Sequence, residues 1–296
     1  MSNDLSLQQR IWQSNKNQRR IIMAAKILLA IFVVGFAIFP IIWTLSAAFN
    51  PTNGVSGQRL IPTNPTLRHF GTILQDEPFA RWIWNSTKVS GISAILSVFI
   101  TSFAAFSFSR FRFRGRNQLL LGILLIQVFP ALLAMIALFS LLQQLGQYIP
   151  SLGLNSHGGL ILIYLGGAMG INVWLMKGFF DSIPRDIDES AMVEGATHWQ
   201  IFRYLIFPLV RPIVVVVGIL TFVGTYGDWI LPSLMLQRAE HFTLMLGLQS
   251  FISDQYGANW GPYAAGAVMG SLPIVIIYLV LQDQIVGGLT AGSVKG

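Results

Sequence analysis

The chain has 296 residues, 53% of them hydrophobic and only 10% charged, against roughly a quarter charged in ordinary soluble domains. It contains no cysteine, which excludes disulfides and thiolate metal sites and leaves the redox compartment unreadable. The net charge of +7 would suit a nucleic-acid binder, but the basic residues are sorted by membrane side, and no nucleic-acid partner is expected.

Residues 1–26 are polar and basic, and read as a cytoplasmic N-terminal segment. The apolar run that follows is long enough to span a membrane, and Ser46-Ala47-Ala48 makes only a weak cleavage site. A retained signal anchor is therefore expected rather than a cleaved leader. Runs of about 20 apolar residues, the length that crosses roughly 30 Å of hydrocarbon as helix, then recur. They predict spans at about 27–49, 89–109, 118–142, 159–176, 204–227 and 262–282. The fifth is interrupted by Pro208, Arg211 and Pro212, and Pro130 and Pro273 should kink the third and sixth. Gly166-x-x-x-Gly170 and Gly266-x-x-x-Gly270 permit close helix approach. The fold class expected is an all-α polytopic membrane protein: six transmembrane helices over 27–286 and a tail at 287–296.

Lys and Arg set the orientation. With the N-terminus inside, 14 basic residues are cytoplasmic: Arg10, Lys16, Arg19, Arg20, Lys26, Arg110, Arg112, Arg114, Arg116, Lys177, Arg185, Arg203, Arg211 and Lys295. Five are outside: Arg59, Arg68, Arg81, Lys88 and Arg238. Both termini are thus expected in the cytoplasm. The Arg-Phe alternation over 110–114 reads as cationic anchors at the inner headgroups, and the tryptophans near span ends as an interfacial belt. The two long outer loops, about 50–88 and 228–261, lack clear hydrophobic periodicity, and loops of that length tend to be functional.

Chemistry of its own is missing. The spans hold almost no ionisable side chain, whereas ion-driven carriers keep costly Asp, Glu, His or Lys where they work. Asp228, near the outer end of the fifth span, is the exception, and an outer-interface charge is its simpler reading. No P-loop, HExxH or GxSxG pattern occurs, and His69, His157, His198 and His241 lack metal-ligand spacing. The chain is not expected to be an enzyme or to bind a cofactor or metal. Uphill transport would draw its energy from a partner.

The segment 177–208 is the charged, helix-forming exception. Pro184, Asp186, Asp188 and Glu189 suit a helix N-terminus, the acids complementing the macrodipole. Gly195 permits the left-handed conformation that stops a helix, and Thr197-His198-Trp199-Gln200 has capping-box form. Pro208 marks a bend or break into the fifth span. A helix–turn–helix at the membrane surface follows, with one short helix offered to the cytoplasm. An ordinary amphipathic loop with a glycine cap fits the same residues.

The spacing Glu189-x-Ala191, three residues, Gly195, then Leu205-Ile206-Phe207-Pro208 resembles the "EAA" loop of ABC-importer permeases. Leu60-Ile61-Pro62-Thr63-Asn64-Pro65-Thr66-Leu67 and Phe242-Thr243-Leu244-Met245-Leu246-Gly247-Leu248 are similar to other stretches of the binding-protein-dependent sugar permease family. Gln127-Val128-Phe129-Pro130-Ala131, Leu154-Asn155-Ser156-His157-Gly158-Gly159 and Gly288-Leu289-Thr290-Ala291-Gly292-Ser293-Val294-Lys295-Gly296 resemble its maltose/maltodextrin branch, G-type. The sequence departs from the family's Glu-Ala-Ala and Asp-Gly at Ser190 and Glu194.

The resemblance implies the type I ABC-importer permease fold in a bacterial inner membrane. It implies a second homologous permease subunit, a homodimeric cytosolic ABC ATPase that binds ATP and Mg, and an extracytoplasmic sugar-binding protein. It assigns ATPase coupling to Asp186, Glu189, Ala191, Glu194, Gly195, Ala196 and Pro208. A second ATPase contact falls on Thr290, Ala291, Gly292, Ser293, Val294, Lys295 and Gly296, and binding-protein contacts fall on Phe251, Tyr256 and Trp260. Nothing in the residues separates maltose and maltodextrins from another sugar such as trehalose. A six-span carrier or channel not driven by ATP is the alternative of a different class.

Overall fold

The structure is a computed structural model. It describes residues 2–52, 54, 58–253 and 259–291, and the side chains of these apart from 2–17, 131–132 and 285–291. Among the described residues the chain is all-helical. The elements are α1 (Ser2–Phe49), α2 (Arg68–Gln75), α3 (Phe79–Arg110), α4 (Arg116–Val128), α5 (Ala131–Tyr148), α6 (His157–Ser182) and α7 (Asp186–Val193). There follow α8 (His198–Gln200), α9 (Phe207–Tyr226), α10 (Ile230–Met235), α11 (Leu244–Gln249), α12 (Trp260–Gly270) and α13 (Leu272–Ala291). Five helical stretches are long and apolar enough to cross a membrane, and α4 with α5, counted as one broken span, make six.

The spans differ from the sequence reading in ways that have physical causes. The basic N-terminal segment and the first span are one continuous helix. The second span starts at Phe79, about three turns earlier than expected, and the preceding loop contains α2. Ile73 of α2 and Phe79 and Trp82 of α3 explain both, because they bury in one cluster with Phe222, Tyr226, Leu244 and Leu248. The second outer loop likewise carries α10 and α11. The third span does not merely kink. The axes of its two halves differ by 104°, with Phe129 and Pro130 extended between them. A proline can neither donate to the preceding turn nor tolerate a helical residue before it, so Phe129 takes the extended conformation.

α3 runs at the centre, packed on α6 and α9. Its buried side carries Ser86, Ser90, Ser93, Ser97 and Thr101, small residues that let neighbouring helices approach closely. Several of these hydroxyls stay satisfied by turning onto their own backbone or onto a neighbour. Thr101 Oγ1 donates to the Ser97 carbonyl at 2.6 Å, and Ser86 Oγ accepts from the Leu244 amide at 2.7 Å. Midway along, Asn172 Nδ2 donates to Ser97 Oγ (3.0 Å) and Thr221 Oγ1 (3.1 Å), tying α3, α6 and α9 together. Of the glycine pairs, Gly266 and Gly270 lie against Leu248 and Leu244, where a Cβ would clash. Gly170 faces the Gln127 side chain, whereas Gly166 faces open space.

At the end of the bundle away from α7, side chains fasten the loops to the core. Asn85 Nδ2 donates to the Glu240 and Phe242 carbonyls, both at 3.0 Å. Asn155, at φ +59°, accepts from the Gln237 and Arg238 amides at 2.6 and 3.0 Å. The membrane helix α1 stands apart: it touches the bundle mainly through α12, and the side chains from Gln18 to Trp43 are largely exposed.

Candidate functional site

The α6–α9 connection projects one short helix, α7, from the end of the bundle where α3 also finishes. Asp186, Asp188 and Glu189 fill its first turn, where acids complement the positive helix end. It stops at Gly195, whose φ is +87°, a region an L side chain enters only with strain. The Gly195 amide donates to the Met192 carbonyl (3.0 Å) and the Ala196 amide to the Ala191 carbonyl (2.9 Å). These two bonds form a Schellman motif, which satisfies carbonyls that would otherwise be orphaned at the helix end. The next helix begins at once. Thr197 Oγ1 accepts from the Gln200 amide at 3.3 Å, and Gln200 Oε1 accepts from the Thr197 amide at 2.7 Å, the capping box the sequence predicts.

The two faces of α7 differ sharply. Asp188 and Ala191, three residues apart, point inward. Ala191 belongs to a core cluster with Phe106, Met176, Phe180, Ile201 and Ile206, and Ala196 packs against it. On the outer face Asp186, Glu189, Ser190 and Glu194 are exposed, and Val193 is 89% exposed. A short helix thus presents an apolar tip rimmed by carboxylates, while its inner face is fixed to the bundle.

The fixing is electrostatic as well as apolar. Arg110, the last residue of α3, places Nε 2.6 Å from Asp188 Oδ2, with the two side chains only 7% and 9% exposed. Arg110 Nη2 also donates to the Ile183 carbonyl (3.2 Å), and Arg185 Nη2 donates to the Ser109 carbonyl (2.8 Å). The Ser109 carbonyl, in the last turn of α3, thereby gains a partner from the segment it supports. Ser109 Oγ donates to Asp181 Oδ1 at 2.7 Å. Burial pushes the Asp188 carboxyl up from its ordinary range, and the Arg110 and Arg185 guanidiniums oppose that shift.

Arg110 is therefore no headgroup anchor, as the Arg-Phe alternation implied. The Asp188–Arg110 pair escaped the sequence reading altogether. The available signal was helical spacing: Asp188 lies one turn before the apolar Ala191, whereas Asp186 and Glu189 lie on other sides. On the far side of Gly195, the start of the next helix is held by aromatic contacts. Phe103 and Phe106 of α3 lie 4.9 and 5.1 Å from the Phe202 ring, and Phe111 lies 5.1 Å edge-on to His198.

Pro208 neither bends nor breaks the chain as expected. It is exposed in the first turn of α9, and His198–Tyr226 runs as one span. The preceding turn opens instead into a π-helical stretch, Ile201–Ile206, where the Phe207 amide reaches back to the Phe202 carbonyl. Of the remaining expected contacts, Phe251 packs against the cluster of Trp82 and Leu248, and Trp260 is 38% exposed at the start of α12. Thr290 and Ala291 end the helix α13. Tyr256 and Gly292, Ser293, Val294, Lys295 and Gly296 lie outside the described residues.

Five or six stretches apolar enough to cross a membrane, with α7 projecting at one end, make an integral-membrane helical bundle among the described residues. Residues 97–289 match the family described as binding-protein-dependent transport system inner membrane component, and the chain belongs to that family. It is 44% identical over 272 residues to the maltose/maltodextrin transport system permease protein MalG of Vibrio parahaemolyticus, covering 88% of this chain and 91% of that one. It is 40% identical over 284 residues to the galactooligosaccharides transport system permease protein GanQ of Bacillus subtilis, covering 95% and 98%. Among solved structures it is similar to a bacterial ABC transporter involved in the import of the acidic polysaccharide alginate. That likeness has a TM-score of 0.72 and 25% identity, and covers 90% of this chain and 96% of that one.

Proposed function

We propose that this chain is the G-type permease subunit of an ATP-driven, binding-protein-dependent importer of maltose and maltodextrins. The observation that carries the reading is the divided surface of α7: an exposed Val193 tip among Asp186, Glu189 and Glu194, on a helix whose inner face is bolted to α3. Such an element can receive a push from a soluble partner and deliver it to the centre of the bundle. The distribution of Lys and Arg supports a cytoplasmic position for this end and for both termini.

The partner at α7 is then a homodimeric ATPase, which holds the ATP and Mg; this chain hydrolyses nothing itself. A second homologous permease completes the membrane unit, and the exposed apolar length of α1 is suited to meet it or the bilayer. Thr290–Gly296 supplies a further ATPase contact, and the region of Phe251, Tyr256 and Trp260 faces the sugar-binding protein outside. Closure of the ATPases moves α7, and the bundle alternates between inward and outward access.

Galacto-oligosaccharides are the second reading of the substrate, favoured by the extent of the likeness to GanQ. The test is purification in mild detergent, followed by uptake of radiolabelled maltose and maltotriose into proteoliposomes. Co-purification of an ATPase and a second permease, with uptake that needs ATP and the binding protein, is expected. Uptake by the chain alone without ATP would return the carrier reading.

A further inference from the structure

Two large cavities open in the bundle, and they differ in character. One, about 1170 Å³, lies between the broken pair α4–α5 and the facing sides of α6 and α9, and its walls include Asn172, Thr221 and the bonded pair Tyr164 and Asp228. The other, about 670 Å³, is a groove between α3, α9 and α13, lined chiefly by apolar groups such as Ile95, Val98, Val215, Gly218, Ile219 and Leu281. Its charged end is the one nearer α7. There Trp199 stacks on Phe103 with ring centroids 6.0 Å apart, and Arg203 borders the groove. Trp199 is 55% exposed and Arg203 is exposed, an aromatic and a cation side by side at the depth of a membrane interface.

A second cation stands on the same side. Arg211, also exposed, lies four residues after Phe207 and three before Val214, both of which line the groove, so helical spacing puts it on that face of α9. Helical side chains lean toward the N-terminus of their helix, which carries its guanidinium back toward Arg203, eight residues or about 12 Å away along the axis. Neither arginine belongs to an ion pair among the described residues. Neither α3 nor the stretch 195–227 contains an acid, and Asp283 of α13, two residues past Leu281, falls on another face of its helix. Charges at membrane depth are costly and persist where they meet a counter-charge.

Charge and length together define the occupant. From Phe103 to Thr87 the groove follows α3 for sixteen residues, about 24 Å. A lipid reaches roughly 20–22 Å from headgroup to midplane, half of a bilayer, whereas a spanning helix fills the whole hydrocarbon depth of about 30 Å. Basic pockets between membrane helices on one leaflet are suited to phosphate headgroups.

We propose that this groove binds an anionic phospholipid of the leaflet at the α7 end. Its phosphate sits between Arg203 and Arg211, and an acyl chain runs up the groove along α3 and α9. The lipid then braces the start of α9 against α3, immediately after the turn that closes α7, and ties that turn to the composition of the membrane.

The test uses the full chain, purified in mild detergent with the subunits that accompany it, and phosphatidylglycerol carrying a diazirine on one acyl chain. After illumination, labelled peptides are mapped by mass spectrometry. Labelling of the α3 and α9 residues that line the groove is expected, competed by plain phosphatidylglycerol and not by phosphatidylcholine. Arg203→Gln or Arg211→Gln should each lower it about fivefold and the double variant about 25-fold, the scale of one and two cations at an anionic surface. The double lysine variant should keep most of it. Gly218→Leu, where a Cβ meets only Val98 at 3.5 Å, should narrow the groove and lower labelling with both arginines in place. Equal labelling by phosphatidylglycerol and phosphatidylcholine probes in the wild-type chain would overturn the proposal without recourse to any variant. So would labelling that the double glutamine variant leaves unchanged. Groove residues that stay unlabelled would show that another subunit covers them, and would overturn it too. The importer reading survives each of these outcomes, because it requires no bound lipid.

Discussion

Arg110 and Asp188 meet at 2.6 Å in a nearly dry pocket and join the end of the central helix α3 to the first turn of the projecting helix α7. Removing one partner of a buried pair strands the other charge, typically at about 3–5 kcal/mol, whereas replacing both with apolar groups is often neutral. Asp188→Ala and Arg110→Ala should each lower the melting temperature of the purified complex and the sugar moved per ATP. The double variant Arg110→Met, Asp188→Leu should recover most of the melting temperature. A double variant no better than either single one would show that the pair is not the contact that matters.

Gly195 is constrained by its backbone and not by its neighbours, since a Cβ there meets nothing within 4 Å. A β-branched residue at φ +87° costs roughly 1–2 kcal/mol or shifts the turn. Gly195→Val should therefore leave ATP hydrolysis running while uptake falls, the signature of uncoupling, and Gly195→Asp, which tolerates this φ better, should have a smaller effect. Undiminished uptake at normal expression would remove the role assigned to the turn.

Ala191 lies inside the cluster of Phe106, Phe180 and Ile201, and its carbonyl accepts the Schellman bond from the Ala196 amide. Ala191→Leu overfills that pocket, a change that ordinarily costs about 1–3 kcal/mol. Ser190→Leu, one residue away on the exposed side, should leave the melting temperature of the detergent-purified complex unchanged.

Gly247 lies directly against the Trp82 ring, while Gly178 has open space at its Cβ position. Gly247→Ala should push α11 away from α3 and destabilise the outer end by about 1–3 kcal/mol, whereas Gly178→Ala should be neutral. Limited proteolysis of the 236–253 region in membranes would separate the two.

The features legible in the sequence are local ones. Apolar run length locates the membrane helices, and the φ demand at Gly195 and the Thr197–Gln200 cap follow from neighbours within a few residues. Contacts between distant positions were not legible. Arg110 with Asp188 pairs residues from different helices, and Tyr164 with Asp228 pairs a helix with the α9–α10 connection; each charge taken singly had a simpler surface reading. Pro130 signalled a disturbance in the third span, but a kink and a 104° break begin from the same missing amide. What decides between them is packing: the opened cavity is walled by α6 and α9, which no local pattern announces.

The outer face of α7 is proposed to touch an ATPase, and the absence of cysteine makes that contact directly testable. Val193→Cys places the only thiol at the 89%-exposed tip, where a benzophenone maleimide can be attached. Arg238→Cys, at the opposite end and 69% exposed, is the control. Illumination of the native-membrane complex should yield an adduct of the chain with the ATPase from position 193 only, with a yield that changes between ATP and ADP. No ATPase adduct from position 193, or equal adducts from both positions, would show that α7 is not the ATPase contact.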